Sequence, residues 1–221
     1  MKFLLTSSGL TNKAITDALL DLVGKPAGEV SVAFIPTAAN IEEGDKWWLI
    51  EDLVNLKKQG FKSLDIVDIS ALPREFWQSR LEASDVLFFS GGDSLHLMHW
   101  LKKSGLAELL PDLLKSRVYA GISAGSMVTG SIAQRRLKEL YPDENPARYP
   151  NIDKGLGFFN FHFRPHLNSP HFPRVRREVL EGLAKELKEP TYALDDQCAL
   201  KIVDGKIEVV GGGEYFILNK N

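Results

Sequence analysis

The stretch Val118-Tyr119-Ala120-Gly121-Ile122-Ser123-Ala124-Gly125-Ser126 restricts the fold more than any other part of the chain. An apolar run leads directly into a G-x-S-x-G pattern, the sequence form of a buried strand that bends sharply into a helix with a serine at the bend. So tight a turn presses the positions two before and two after the serine against neighbouring backbone, and Gly121 and Gly125 occupy both. It also points the serine oxygen outward and leaves helix N-terminal N–H groups free beside it. The same glycines would suit a plain packing junction, so the pattern needs company before it implies chemistry.

Reading outward from this junction, strands and helices alternate. Runs at Lys2–Thr6, Val30–Ile35, Ser63–Ile69 and Asp85–Phe89 read as strands, with Val30–Ile35, β-branched and uninterrupted, expected to be buried on both faces. Helices are expected from about Thr11, over Asp45 to about Gln59, and over Pro73–Leu81, Ser94–Lys103 and Leu106–Lys115. A later helix is expected over Pro173–Lys188. Trp47 and Trp48 open the second helix and are expected to close a core edge. Gln134–Lys154, polar and charged, reads as an exposed excursion and a candidate lid. Near the end, Tyr192–Val203 and Lys206–Val210 flank Asp204-Gly205 as a hairpin, and Tyr215–Leu218 forms a last strand. This order predicts one α/β domain over residues 1–221, a mostly parallel sheet with helices on both faces and a C-terminal antiparallel hairpin.

The 44% apolar and 25% charged fractions are those of an ordinary globular chain, and a net charge of −2 gives no reason to expect nucleic acid or anionic membrane as partner. A single cysteine, Cys198, excludes an internal disulfide framework and suits a reducing compartment. The apolar start, Met1 to Leu5, ends too early for a signal peptide. The expectation is a soluble, cytoplasmic protein, monomer or homodimer, acting on a small molecule.

Ligands of such sheets bind beyond the carboxyl ends of the strands. Three loops fall there: Thr6–Gly9, Ser90–Asp93 and Gly121–Gly125. A nucleophilic serine needs a base, a group to orient the base and donors for an oxyanion. Ser123, centred between its glycines, is preferred over Ser126. Ala124 N–H would be one donor, and the bare backbone of Gly91 or Gly92 the other. Among the histidines, His96 and His99 read as packing or surface groups. His162, His166 and His171 come later, with His166 best placed after Pro165 at a strand end. Their spacing is not that of a zinc protease, so no metal is expected. Asp195 and Asp196 both stand at a turn and, as neighbours, point to opposite sides. Asp143 and Asp153 are rivals for the orienting acid.

With these residues in order, the chain resembles the peptidase E family of serine peptidases, to which cyanophycinases are related. The resemblance rests on Phe88-Phe89-Ser90-Gly91-Gly92-Asp93, Gly121-Ile122-Ser123-Ala124-Gly125, Pro165-His166-Leu167 and Leu194-Asp195-Asp196. It implies a flavodoxin-like sheet akin to class I glutamine amidotransferases, with serine replacing their cysteine, and no cofactor. It also implies Ser123 as nucleophile, His166 as base, Asp196 as acid, and Gly92 and Ala124 as oxyanion donors. The chain departs from the family in carrying Ser90-Gly91-Gly92-Asp93 where three glycines and an asparagine are usual, and Asp196 where glutamate is commoner. Peptidase E holds an N-terminal aspartate through an arginine after the histidine. Here His171 and Arg174 are the nearest substrate-binding candidates, with Arg176 beyond.

Two other readings use the same residues. A non-catalytic flavodoxin-like module could bind a nucleotide or phosphate at Gly91-Gly92. An ordinary α/β-hydrolase would run Ser, acid, His, whereas the order here is Ser, His, Asp.

Overall fold

A computed structural model of the chain describes residues 1–132 and 134–220. Its strands are β1 (Lys2–Thr6), β2 (Ser31–Ile35), β3 (Ser63–Ile66), β4 (Val86–Phe89), β5 (Val118–Ile122), β6 (His162–Arg164), β7 (Thr191–Leu194), β8 (Cys198–Val203), β9 (Lys206–Gly211) and β10 (Tyr215–Leu218). The helices are α1 (Lys13–Val23), α2 (Trp47–Lys58), α3 (Arg74–Glu82), α4 (Ser94–Ser104), α5 (Leu106–Leu113), α6 (Ala124–Met127), α7 (Gln134–Leu140) and α8 (Arg177–Ala184).

Among the described residues, seven strands form one sheet in the order β3-β2-β4-β5-β1-β8-β9, and three form a smaller one, β10-β7-β6. The first five strands of the large sheet are parallel, while β8 and β9 run antiparallel. Counted from β2, this is the flavodoxin-like order with β1 filling the fifth place. The α/β class and the antiparallel end are therefore as expected.

Alternation within the central strands builds a core on each face. Phe3, Leu5, Ile35, Phe89 and Tyr119 point to the side covered by α3 to α8. Leu4, Val32, Phe34, Phe88 and Ile122 point to the side covered by α1 and α2. β4 and β5 are buried along their whole length, which explains their unbroken apolar runs.

The sequence reading needs three corrections. Tyr192–Val203 is not one strand: it breaks at Asp195–Gln197, because β7 belongs to the small sheet and β8 to the large one. The Asp204-Gly205 turn joins β8 to β9 with φ of 48° and 85° at its two residues, the left-handed pair a tight hairpin needs. Second, the expected helix over Pro173–Lys188 is shortened to Arg177–Ala184, since Arg176 is turned back to bond the carbonyls of Ser169, Phe172 and Val175. Third, Gln134–Lys154 is exposed only in part. Leu137, Leu140, Tyr141 and Ile152 are buried in the core, and Tyr141 Oη donates to the carbonyl of Pro165.

Candidate active site

Strand register brings the site together. β1 pairs with β5 so that Thr6 faces Ile122, and with β8 so that Thr6 faces Ala199. Ser7, Ser123 and the residues just before β8 therefore emerge at the same edge. β6 and β7 are parallel neighbours, and the Leu167 amide donates to the carbonyl of Leu194. His166 and Asp196 thus each lie two residues past the end of adjacent strands.

At the elbow, Ser123 has φ 45° and ψ −106°, a conformation most side chains avoid. A Cβ on Gly121 would lie 2.6 Å from the Gly125 carbonyl carbon, and one on Gly125 would lie 2.4 Å from the Phe89 oxygen. Both glycines are thus fixed by close backbone approach, as the sequence pattern implied. Ser126 is buried, and its hydroxyl is taken up by the carbonyls of Thr6 and Gly121. Ser123 is half-buried and its Oγ lies 2.9 Å from His166 Nε2.

His166 Nδ1 lies 2.7 Å from Asp196 Oδ1. The ring stacks on Phe172 with centroids 4.0 Å apart and planes within 8°. Burial alone would raise the Asp196 carboxyl, but the hydrogen bond and charge of His166, with the hydroxyls of Ser7 and Ser169, hold it below the usual carboxylate range. Asp195 is spent elsewhere, accepting from the amides of Gln197 and Glu214. Asp143 and Asp153 are exposed.

Ser7, which the sequence reading did not single out beyond its loop, ties this arrangement together. Its hydroxyl donates to Asp196 Oδ1 at 2.7 Å and accepts the His166 amide at 2.7 Å. His166 itself has φ 65°, and this bond helps hold that conformation.

The glycine loop lies beside Ser123. Gly92 has φ 125°, and a Cβ there would sit 2.4 Å from the Ala38 carbonyl, so only glycine fits. A Cβ on Gly91 would instead meet Ser123 Cβ and Trp48 Cζ3, each at 3.6 Å, which places Gly91 and the Trp48 ring near Ser123. Asp93 caps α4 through the His96 amide at 2.7 Å. Ala124 opens α6, where its amide has no partner within the helix.

His171 is exposed and packs against Trp47 at the start of α2, ring centroids 5.3 Å apart. Arg174 is exposed and donates to the Lys138 carbonyl at 3.5 Å. His162 bonds the Ser131 carbonyl, and among the described residues no group of three or more His, Cys, Asp or Glu is placed to hold a metal ion. Nor is any described helix long and apolar enough to cross a membrane.

Residues 3–218 match peptidase family S51. The chain belongs to that family. It is a serine-type peptidase, a hydrolase. Similar proteins include an uncharacterized peptidase of Listeria innocua, 24% identical over 80% of this chain and 87% of its own. A peptidase E of Shewanella oneidensis is 31% identical over 72% of this chain and 63% of its own. The fold is shared with a solved peptidase E protein of Listeria monocytogenes at a TM-score of 0.73, with 21% identity over 94% of this chain and 96% of that one.

Proposed function

We propose that the chain hydrolyses short peptides from their N-terminal end, with Ser123, His166 and Asp196 as its triad. The observation that carries this is the continuous contact from Ser123 Oγ through both ring nitrogens of His166 to Asp196, at 2.9 and 2.7 Å. Asp196 holds the Nδ1 proton, which leaves Nε2 free to take the Ser123 proton as Oγ attacks the substrate carbonyl. The amides of Gly92 and Ala124 receive the oxyanion. His166 then returns the proton to the leaving amine, and water repeats the sequence in reverse to release the acid. The relatives named peptidase E support peptidase activity, and the dipeptidase-like preference is our extension of that reading. An N-terminal aspartate would present its side chain to His171 and Arg174 on the loop after His166.

The carboxyls of Asp93 and Glu144 at the start of α4 disfavour a phosphate in the glycine loop, so the binding-module reading is not pursued. Ser123→Ala should abolish both turnover and labelling by a fluorophosphonate while leaving thermal unfolding cooperative. Full activity in that variant would overturn the assignment. A dipeptide library comparing Asp-X with other N-terminal residues tests the preference separately.

A further inference from the structure

On α2, one turn past Trp48, stands Asp52. It is only 9% exposed, and among the described residues it has no hydrogen-bond or ion-pair partner. A carboxyl so placed is costly, because buried charges are normally paired. Its surroundings put it at the catalytic edge of the sheet. Asp52 Oδ1 lies 3.2 Å from where a Cβ on Gly9 would be, and that same point is 3.2 Å from Ile122 Cδ1. Ile122 immediately precedes the nucleophile, and its Cγ2 also borders the space over Gly91 that Trp48 walls. Asp52 therefore faces bare backbone in the Ser7–Gly9 loop, beside the residue that carries the elbow. Nothing in the packing of α2 needs a carboxyl at this position, since its neighbours on the inner stripe, Leu49, Leu53 and Leu56, are apolar.

We propose that Asp52 is a specificity-determining residue that binds an ammonium group of the substrate, with Trp48 as the wall between that group and Ser123. This rests on the reading of Ser123 as nucleophile. A bound ammonium would supply the partner the carboxyl lacks. Burial, and secondarily the charge of Glu51, pushes this carboxyl up to about 8, so on its own it holds a proton that an arriving ammonium displaces as it supplies the missing charge. Two sources offer the chemistry: the free N-terminus of the peptide, or a lysine side chain next to the scissile bond.

The test compares kcat/KM for matched peptides with free and acetylated N-termini, and with lysine or norleucine before the scissile bond, in wild type and in Asp52→Asn. Wild type should discriminate roughly 30-fold or more in one of the two pairs, as expected for a charge-assisted contact. Which pair does so names the source. In Asp52→Asn that ratio should fall to about threefold or less, mainly through KM, while the melting temperature rises or stays level. A carboxyl kept for structure would instead lower it. Fluorophosphonate labelling of wild type separates the two hypotheses. An unlabelled Ser123 overturns the nucleophile and this proposal together. A labelled Ser123 with no discrimination in either pair, or with discrimination intact in Asp52→Asn, overturns the Asp52 assignment alone. The wild-type measurements decide even if the variant folds poorly.

Discussion

Ser7→Ala is the perturbation that most directly probes how the triad is held. The hydroxyl makes two contacts, 2.7 Å to Asp196 Oδ1 and 2.7 Å from the His166 amide. Removing a hydrogen bond to a charged carboxylate costs about 1.5–3 kcal/mol, and a buried amide left without an acceptor costs about 1–3 kcal/mol. Asp196 keeps its bonds from His166 and Ser169, so part of the first loss is recovered. The net expectation is a loss of about 2–4 kcal/mol in stability, a large share of the 5–15 kcal/mol typical of a folded domain. The kinetic consequence follows from His166, whose φ of 65° is maintained partly by that amide bond. A relaxed backbone moves Nε2 away from Ser123. Losing about 1.4–2.7 kcal/mol of transition-state stabilisation lowers kcat roughly 10- to 100-fold. KM should change little, since Ser7 is buried beneath the histidine. The assay is steady-state hydrolysis of a short peptide beside thermal unfolding and the rate of fluorophosphonate labelling. A variant that melts earlier but keeps wild-type kcat and labelling rate would refute the reasoning, because Ser7 would then matter to packing and not to the imidazole.

Four other outcomes follow from the same geometry. Asp196→Asn should lower kcat about 10³- to 10⁴-fold by favouring the wrong tautomer of His166, whereas Asp195→Asn should chiefly lower the melting temperature; equal kinetic effects would contradict the assignment of the acid. Gly92→Ala should fold poorly because of its φ of 125° and the Ala38 carbonyl 2.4 Å away, while Gly91→Ala should fold normally yet lose activity as its methyl crowds Ser123; urea unfolding and kcat/KM together distinguish the two. For Asp52, folding raises the carboxyl from 3.8 to about 8, so the folded state keeps a proton that the unfolded chain releases, and stability falls as pH rises across that interval. Asp52→Asn should therefore gain little below pH 4 and about 1–3 kcal/mol, roughly 2–10 °C, above pH 8; a melting-temperature difference that does not grow with pH would contradict this. Burial likewise raises Glu42 to about 7 and Glu144 to about 8, while ion pairing and hydrogen bonds lower Asp65 and Asp85. Burial also lowers His96, His99 and His162, which costs stability as pH falls through the imidazole range and offsets the raised carboxyls there. Melting temperatures measured across pH should therefore fall mainly above about pH 6.5, where only the carboxyls still titrate.

The elbow was legible because its cause is local: a strand that bends at a serine has no room for a side chain at 121 or 125, whatever surrounds it. The histidine was legible because Pro165 marks a strand end. Ser7 was hidden because its role depends on the β1–β8 register, which no pattern within a dozen residues reveals. Asp52 did leave a signal. It stands three residues after Leu49 and four before Leu56, on the stripe that a helix buries, and a charged residue there is a question the periodicity poses. The misreading of Gln134–Lys154 arose from averaging. Its charges outnumber the apolar residues, yet Leu137, Leu140 and Tyr141 keep the i, i+3, i+4 spacing that puts them on one buried face. The break at Asp195–Gln197 separates strands of two different sheets, a partition that only the packed structure decides.

Three residues at the site hold backbone conformations that are rare in folded chains: Ser123 at φ 45°, His166 at φ 65° and Gly92 at φ 125°. The two non-glycine cases cost on the order of 1–3 kcal/mol each, so something must hold them. The holding bonds converge on the strand ends. Ser123 N–H donates to the Thr6 carbonyl at 3.0 Å, and His166 N–H to Ser7 Oγ at 2.7 Å. Asp93 N–H, next to Gly92, donates to the Ala38 carbonyl at 3.0 Å just past β2. Thr6 adds its own hydroxyl, donating to the Gly121 carbonyl and accepting the Gly9 amide. The end of β1 therefore braces Ser123 on one side and His166 on the other. Its place between β5 and β8 explains why a serine from mid-chain and a His-Asp pair from the last quarter meet within hydrogen-bonding distance. On this account the sheet supplies more than a platform: the registry of a single five-residue strand sets the spacing of Ser123, His166 and Asp196, while Asp52, on the helix packed over that strand's loop, is a buried carboxyl with no partner among the described residues.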